Sequence, residues 1–303
     1  MAIVQFYKGQ VVVNSILYPV PPGGATLMWP KNYNAPAAAG NYWQVNYIEG
    51  LQTPAVDIRF GCLDGYTAGV QSCALRGAFL TAFMTRTSDY KHDVSALTNG
   101  LKFFDGYSGW TCPYVKCASF TIGGSKGDDV RFNAQYMIYD PSGVGTYGPS
   151  ALAAAPITTP PGFTGSPVRF QACSFYKYPS GGETWNAWDG ILSWDLTFSN
   201  NMTPDLSMVG VGPQSPLPID CNAGMMTCSL RITQQASVPP PVSGDQFKVV
   251  IGQGVSGANL TIITGTLINQ TPNDRGIGTG RQIRTYMCTV AGTSNVAPPI
   301  TVS

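Results

Sequence analysis

The chain has 303 residues, and only 11% of them are charged, whereas roughly 25% is usual for soluble domains. Its net charge is +1 and its 17 basic residues are scattered, which excludes a basic nucleic-acid-binding domain and an acidic disordered tail. A hydrophobic fraction of 44% allows a sizeable core, so the chain is not disordered. A charge-poor surface tends to associate, and two interpretations stay open: a surface covered by other subunits, or an ordinary neutral β-protein.

The first residues, Met1 to Lys8, lack a basic segment followed by an apolar one, so no secretory signal is predicted. No run of 18 apolar residues occurs, and no membrane span is predicted either. We therefore expect synthesis and assembly in a cytoplasm.

Alternation of apolar and polar residues predicts strands along most of the chain. In Ile191 to Ser199, for example, Leu192, Trp194, Leu196 and Phe198 share one face. Turn residues separate the strands at the spacing of an all-β barrel or sandwich. A single helix is predicted, at Asp93 to Leu101. The other predicted strands are Ala55–Phe60, Val130–Ile138, Gln246–Ile251, Leu260–Leu267 and Gln282–Val290.

Six short matches in the same order suggest an internal repeat at an offset of about 140 residues, with chance as the alternative. The offset changes only across turn-rich stretches, where insertions are tolerated. The matched segments are Trp43 with Trp185, Glu49-Gly50 with Asp189-Gly190, Asp57 to Phe60 with Asp195 to Phe198, Cys73 to Arg76 with Cys228 to Arg231, Phe120 to Ile122 with Leu260 to Ile262, and Tyr136-Met137 with Tyr286-Met287.

The repeat divides the chain into two halves of similar size. Residues 1–140 are predicted to form the first β-barrel, residues 141–167 a Gly/Pro/Ala-rich linker, and residues 168–303 the second β-barrel. The fold class expected is therefore all-β, with two tandem antiparallel barrels or sandwiches related by duplication and little helix.

The glycine-rich motifs predict turns rather than ligand sites. Gly123 to Asp129 lacks the residue order of a calcium loop or a phosphate loop, and it is predicted to be a hairpin turn. Gly276, Gly278 and Gly280 lie between two predicted strands with no following helix, which indicates a hairpin tip rather than a dinucleotide site.

The residues available for catalysis are few. His92, the only histidine, lies in a polar run typical of a solvated surface, so a multi-histidine metal centre is excluded. Glu49 and Glu183 are the only glutamates, and nothing pairs them with Asp64 or Asp105 as a glycosidase would require. No catalytic, metal or cofactor site is predicted.

Cysteines and tryptophans each allow two interpretations. The eight cysteines have no CxxC pair, which favours buried free thiols, and disulfides formed after release from the cell remain the alternative. Trp185, Trp188 and Trp194, with Tyr176 and Tyr178, suit either a core or a sugar-stacking platform, and the core is favoured.

One segment of the second half resembles a known family. An alternating strand ends in Phe198-Ser199-Asn200-Asn201, and a long Gly/Pro-rich loop, Met202 to Asp220, follows it with Leu217-Pro218-Ile219 near its end. A short turn, Asn222-Ala223-Gly224, then leads into a second alternating strand, Met225 to Thr233. This order of strand, Asn pair, long loop and strand resembles the tail tube proteins of long-tailed bacteriophages.

The resemblance implies a virion protein that acts by self-assembly. Family members form β-barrels whose rings have continuous inner sheets and stack into a hollow tube for DNA ejection. Members with two fused barrels form trimeric rings with pseudo-sixfold symmetry, and the predicted duplication fits that version. The expected partners are further copies of the chain, other tail proteins, and DNA that passes through the lumen without specific binding. No cofactor and no membrane are expected.

Two features of the first half depart from the family pattern. Its counterpart loop, Gly61 to Ser72, is shorter, and its Pro/Ala-rich stretch, Pro19 to Gly40, has no evident equivalent in the second half. The function expected is that of a tail tube subunit without enzymatic activity, and these departures leave a baseplate or tail-tip ring open as the alternative. A capsid decoration protein, and a carbohydrate-binding module that uses the tryptophans, also stay open.

The long loop is the one predicted functional segment, since long loops in compact domains are often functional. Its apolar side chains are expected to pack against a neighbouring subunit, and the alternative is a loop folded back on its own barrel. These side chains are Met202, Leu206, Met208, Val209, Val211 and Leu217.

Overall fold

The structure, a computed structural model, describes residues 10–13, 16–18, 20, 24–29, 33–34, 48–49, 52–60, 63–64, 100–104, 107–156, 166–207, 216–251, 260–269, 274–277, 282–292 and 299–302. Within these ranges the regular elements are antiparallel strands and one three-residue 3-10 turn, with no α-helix. The predicted all-β fold is confirmed.

The strands are numbered in chain order. Those before residue 168 are β1 Gln10–Val13, β2 Ile16–Tyr18, β3 Ala25–Met28, β4 Tyr33–Asn34, β5 Ile48–Glu49, β6 Ala55–Phe60, β7 Leu63–Asp64, β8 Leu101–Phe104, β9 Gly109–Cys112, β10 Val115–Ser125, β11 Arg131–Ile138, β12 Ser150–Leu152 and β13 Ser166–Pro167. Those after it are β14 Cys173–Tyr178, β15 Asn186–Ala187, β16 Ile191–Ser199, β17 Met202–Asp205, β18 Asp220–Ala223, β19 Thr227–Gln235, β20 Gln246–Ile251, β21 Leu260–Thr264, β22 Thr266–Asn269, β23 Asp274–Ile277, β24 Gln282–Ala291 and β25 Ile300–Val302.

One nine-stranded sheet runs through both halves of the chain. Its order is β22-β24-β19-β16-β10-β11-β6-β3, and β23 pairs with the first part of β24. The halves meet where β10 pairs with β16, from Ser119 opposite Ser199 to Ser125 opposite Ser193. The two halves are therefore joined by a shared sheet.

Two smaller sheets cover the buried face of the large sheet. The sheet β12-β9-β8-β1-β2 belongs to the first half, and β15-β14-β20-β21-β25 belongs to the second. Phe247 of β20, for example, lies with its ring centroid 6.2 Å from that of Trp194 on β16. Their buried side chains form one continuous hydrophobic core.

The predicted alternation corresponds to burial from Trp194 onward, whereas Ile191 is buried in place of Leu192 because the register shifts between Ile191 and Ser193. Trp194, Leu196 and Phe198 of β16 are fully or almost fully buried, while Asp195 and Thr197 between them face the other side. The same period of two holds along β11, β19 and β20. Burial at about 25 cal/mol per Å² of apolar surface is the main term that stabilises these strands.

The two halves have the same strand order. The sheets β9-β8-β1-β2 and β10-β11-β6-β3 correspond, strand by strand, to β21-β20-β14-β15 and β22-β24-β19-β16. The outer neighbours β12 and β25 also correspond, as do the short hairpins β4–β5 and β17–β18. All these pairs occur in the same order along the chain. The counterpart of the long loop is therefore the β4–β5 hairpin, and the predicted counterpart, Gly61 to Ser72, is wrong because it follows β6.

The strand order supports some of the sequence matches and contradicts others. Tyr136 and Tyr286 lie on the corresponding strands β11 and β24, as matched. Asp57 to Phe60, however, lies on β6, whose counterpart is β19 rather than β16, and Phe120 to Ile122 lies on β10, whose counterpart is not β21. Short matches in alternating strands fit several strands equally well, because every half-buried strand repeats the same two-residue pattern.

The predicted linker and the predicted helix can be compared with the structure only in part. The predicted linker 141–167 contains β12, which pairs with β9, and β13, which pairs with β7. Its described part is therefore folded into the first half. The predicted helix Asp93 to Leu101 lies outside the described residues except at its end, where Leu101 begins β8.

Candidate functional site: the open face of the nine-stranded sheet

The large sheet has one buried face and one open face, and the open face is polar. On the central strands it presents mostly hydroxyl and amide side chains, which are half-buried or exposed. These residues are Ser119, Thr121 and Ser125 of β10, Ser193, Thr197 and Ser199 of β16, Ser229 and Thr233 of β19, and Asn133 and Gln135 of β11. The face spans both halves without interruption.

Side chains on this face bond to their neighbours across the strands. The hydroxyls of Thr121 and Thr197 share a hydrogen bond of 3.2 Å across the junction of the two halves. Thr233 pairs in the same way with Thr285 at 3.1 Å, and the Gln135 amide donates to the Asp57 carboxylate at 3.0 Å. Such cross-strand pairs fix the positions of the polar groups.

The charges on the open face are nearly balanced. Arg59, Arg131 and Arg231 are exposed, and Asp57 and Asp195 lie among them. Partial burial raises the pKa of the Asp195 carboxyl, and the Arg231 guanidinium on the neighbouring strand opposes that shift. The described face is thus a polar surface without a strong field of either sign.

Gly123 allows the two halves to approach at the junction. A Cβ atom on Gly123 would overlap the main-chain oxygen of Trp194 and the carboxylate of Asp195 on β16. Only glycine permits this approach, so Gly123 is a structural requirement of the shared sheet. It was predicted only as part of a turn, because a close approach by a distant strand leaves no local signal.

The predicted long loop begins and ends as a hairpin, β17–β18, here called the second arm (residues 202–223). Its base depends on the predicted Asn pair. Asn201 has a positive φ of 45°, and the Asn200 amide donates to the Cys117 carbonyl at 2.8 Å. Asn is among the few residues that tolerate a left-handed conformation. The Asn pair therefore anchors the second arm to β10.

The second arm packs on the first half of the same chain. The Lys116 ammonium, almost fully buried, donates to the Asp220 carboxylate at 2.6 Å and to the Cys221 carbonyl at 3.2 Å. The main-chain N–H of Gln52 donates to the Pro216 carbonyl at 2.7 Å, and that of Asp140 donates to the Pro218 carbonyl at 2.8 Å. These contacts connect the two halves a second time.

The six predicted interface residues fall into three groups. Leu217 is buried within the chain, at 5% exposure, with a methyl group close to Gly148. Met202 is half-buried and Leu206 is exposed. Met208, Val209 and Val211 lie outside the described residues. The structure therefore brings Leu217 to the contact between halves and leaves Leu206 on the surface.

The tryptophans divide between the core and the surface. Trp194 and Trp188 are buried, as expected for core residues. Trp185 is half-buried beside Tyr178, with ring centroids 5.4 Å apart. The Lys248 ammonium lies 4.8 Å from the Trp185 ring and 4.5 Å from that of Tyr176. Of the predicted platform, only Tyr176, Tyr178 and Trp185 lie outside the core, and together with Lys248 they are here called the aromatic patch.

Six cysteines lie among the described residues, and all six are free thiols. Burial raises the pKa of Cys112, Cys173, Cys221 and Cys228 to about 12 and that of Cys288 to about 11, and it also raises that of Cys117. Cys62 and Cys73 lie outside the described residues. The described thiols behave as small apolar core residues.

The predicted hairpin at Gly123 to Asp129 is confirmed, but its turn begins at Lys126, because Gly123 to Ser125 still belong to β10. It joins β10 to β11, with Gly127 at a φ of 98° and the Ser125 hydroxyl donating to Asp128 at 2.6 Å. Gly276 lies in β23, which forms a hairpin with β24, and Gly278 and Gly280 lie outside the described residues.

The other ionisable residues considered above as catalytic candidates are not brought together in a site by the described part of the chain. His92 and Asp105 lie outside the described residues, and the side chains of Glu49 and Asp64 are not among those described. Glu183 is exposed. Among the described residues, no three His, Cys, Asp or Glu side chains form a group that could hold a metal ion.

No helix within the described ranges is long and apolar enough to cross a membrane. No family model matches the chain, and no curated protein sequence matches it.

Proposed function

We propose that this chain is a structural protein of a phage virion, a tail tube subunit whose copies close into rings around a lumen. The observation that carries the proposal is the junction of β10 with β16. It joins two halves of equal strand order edge to edge in one sheet, in the way that neighbouring units of a ring wall are joined. Each half of the chain then forms one unit of the ring wall, here called a wall unit, and the two adjacent wall units arose by duplication.

The two halves meet through non-equivalent edges, and this supports a ring. The edge of the second half that meets the first half, β16, corresponds to β3, not to β10. The contact is therefore head-to-tail, and a head-to-tail contact repeats until it closes into a ring or continues as a filament. An isologous contact, by contrast, would have joined two equivalent edges and stopped.

The open face suits the wall of a DNA conduit. DNA carries a dense row of phosphates, and clustered Lys and Arg side chains would hold them by releasing counterions. The central strands instead present hydroxyl and amide groups with nearly balanced charges. A duplex in contact with such a surface would slide rather than bind.

The second arm supports assembly in another way. It extends from the second half and packs on the first through Lys116 and Asp220. By the common strand order, the first-half hairpin β4–β5 is its counterpart, and we expect it to reach a neighbouring copy. Contacts of this type would fix the angle between adjacent wall units.

Microscopy of the purified chain tests the proposal. Negative-stain images and light scattering at rising concentration are expected to show rings or tubes with a central hole, built from trimers of the 32.2 kDa chain. A strictly monomeric chain at every concentration would contradict the proposal. Single rings that never stack would favour a baseplate or tail-tip ring, and binding to heads would favour a decoration protein.

A carbohydrate-binding module is the second candidate, and the aromatic patch is the observation that favours it. Trp185 and Tyr178 are half-exposed rings of the kind that stack on sugars. A glycan array with the Trp185→Ala variant tests it, since Trp188 is buried and makes a poor probe. Loss of glycan binding in this variant would support the module, and self-assembly without any glycan affinity would contradict it.

A further inference from the structure

We infer that β3 of one copy pairs antiparallel with β23 of a second copy, so that the nine-stranded sheet continues from chain to chain. This inference rests on the proposed function in taking assembly to be the role of the chain. It adds which two strands meet and which main-chain groups bond.

The junction inside the chain is the template. There, β16 of the second half lies beside β10 of the first, and the equal strand order makes β3 the counterpart of β16. In the first half, β3 pairs with β6 on one side, and no strand among the described residues pairs with its other side. An edge of this kind is a ready template for another strand.

The counterpart of β10 is divided between two strands. β10 lies along the whole of β11, whereas β22 pairs with the last part of β24 and β23 with its first part. With Tyr136 and Tyr286 as equivalent residues, the segment of β10 from Ser119 to Ile122 corresponds to β23. This segment is the first part of the stretch of β10, Ser119 to Ser125, that pairs with β16.

The sequence at the end of β23 agrees with the equivalent sequence in β10. β10 continues from Ile122 into Gly123, and β23 ends at Ile277, which Gly278 follows. Gly123 is required because the main chain of β16 approaches it too closely for a Cβ atom. A glycine at the equivalent position of the second half predicts an equally close strand there, and the only counterpart of β16 that remains is β3.

The strand directions are compatible. Along β23-β24-β19-β16-β10-β11-β6-β3 every neighbouring pair is antiparallel. Eight strands of alternating direction leave β3 opposite in direction to β23. A second copy placed by the same operation therefore adds its β23 to β3 in the antiparallel sense, as β10 and β16 pair inside the chain.

Hydrogen bonding identifies the outward groups of β3. The Arg59 amide donates to the Gly24 carbonyl at 2.6 Å, so Gly24 and Arg59 form a hydrogen-bonded pair. Because such pairs alternate along an antiparallel ladder, Thr26 and Met28 bond toward β6, whereas Ala25 and Leu27 direct their N–H and C=O groups outward. The second copy would bond to Ala25 and Leu27.

This geometry gives a matched pair of variants. Ala25→Pro removes an outward N–H and leaves the ladder to β6 intact, since proline is tolerated on the outer side of edge strands. Ala25→Ser keeps the N–H at the same position. We expect the full-length Pro variant to need about tenfold more protein or more for half-assembly, because each lost contact leaves a carbonyl unpaired. The Ser variant is expected to assemble like the unchanged chain.

Light scattering with negative-stain microscopy measures assembly, and circular dichroism checks that both variants fold. Hydrogen exchange of the unchanged chain gives a second measurement that needs no variant. The amides of Ala25 and Leu27 are expected to gain protection on assembly, while those of the edge strand β25 do not.

The outcomes separate the pairing from the conduit function. Rings that form equally well with Ala25→Pro, with the β3 amides unprotected, overturn the pairing and leave the conduit standing. Open filaments that require Ala25 N–H but have no central hole support the pairing and contradict the conduit. A chain that stays monomeric at every concentration overturns the pairing.

Discussion

Gly123 of β10 lies so close to Trp194 of β16 that a methyl group on the glycine would overlap the Trp194 carbonyl oxygen. The contact joins residues that are distant in sequence and belong to different halves of the chain. The side chain of Trp194 is fully buried beneath this junction. The approach of the two strands thus determines how the halves form one sheet.

The Gly123→Ala variant tests this relationship. We expect it to destabilise the folded chain by about 3 kcal/mol, since the obstruction is main chain rather than a flexible side chain. Gly124→Ala is the matched control, because a Cβ atom at Gly124 would meet its nearest neighbours at 3.5 Å, an ordinary contact distance. Denaturant unfolding measures both variants. Equal stabilities of the two variants would contradict the role of Gly123.

Local patterns predicted local features well. Alternation in Ile191 to Ser199 identified β16 and its buried face, and the turn chemistry of Gly123 to Asp129 identified the β10–β11 hairpin. The joining of β10 to β16 was not predictable, since neither strand carries a signal for its distant neighbour. A two-residue period specifies which face is buried and leaves the choice of partner strand open.

The same limit applies to the repeat. The Tyr136 and Tyr286 match lies on corresponding strands, whereas the match of Asp57 to Phe60 with Asp195 to Phe198 does not. The buried Lys116 was also missed, because its partner Asp220 lies on the second arm and only the folded chain brings them together.

The Asp220→Asn variant tests the docking of the second arm. It removes the carboxylate that faces the Lys116 ammonium, whose side chain is 6% exposed. We expect a loss of about 1–3 kcal/mol in unfolding free energy, because a buried charge then lacks its counter-charge. Hydrogen exchange of β17 and β18 is expected to become faster, and denaturant unfolding gives the energy.

The double variant Lys116→Met/Asp220→Asn provides the control for this loss. Replacing the ammonium with an apolar side chain removes the uncompensated charge, so part of the lost stability is expected to return. If the double variant were no more stable than Asp220→Asn alone, the ion pair would not be the cause.

Thiol labelling tests the burial of the cysteines. With the pKa of Cys112 and Cys228 raised to about 12, roughly one thiol in ten thousand is ionised at pH 8. We expect a maleimide to label these two residues only after unfolding, and intact mass with peptide mapping measures this. A model thiol peptide in the same buffer is the control. Rapid labelling of either residue in the native chain would contradict the described core.

The Asp195→Asn variant tests the electrostatics of the open face. Partial burial raises the pKa of Asp195 in the folded state, so the folded chain binds this proton more tightly than the unfolded chain does. Asp195 therefore favours folding below its unfolded pKa of about 4, and this contribution is lost as the pH rises through the folded pKa. The asparagine variant has no such titration. Its stability relative to the unchanged chain is expected to increase from about pH 4 to pH 7.

Thermal midpoints of both chains across this range measure the effect, with Asp128→Asn as the control, since Asp128 is exposed in the β10–β11 turn. The Arg231 guanidinium opposes the shift, so Arg231→Gln is expected to enlarge the pH dependence of the unchanged chain. Parallel pH profiles of the Asp195→Asn variant and the unchanged chain would contradict a raised pKa. They would also mean that water reaches Asp195 as freely as it reaches the turn, and the open face would then be solvated up to the junction of the two halves.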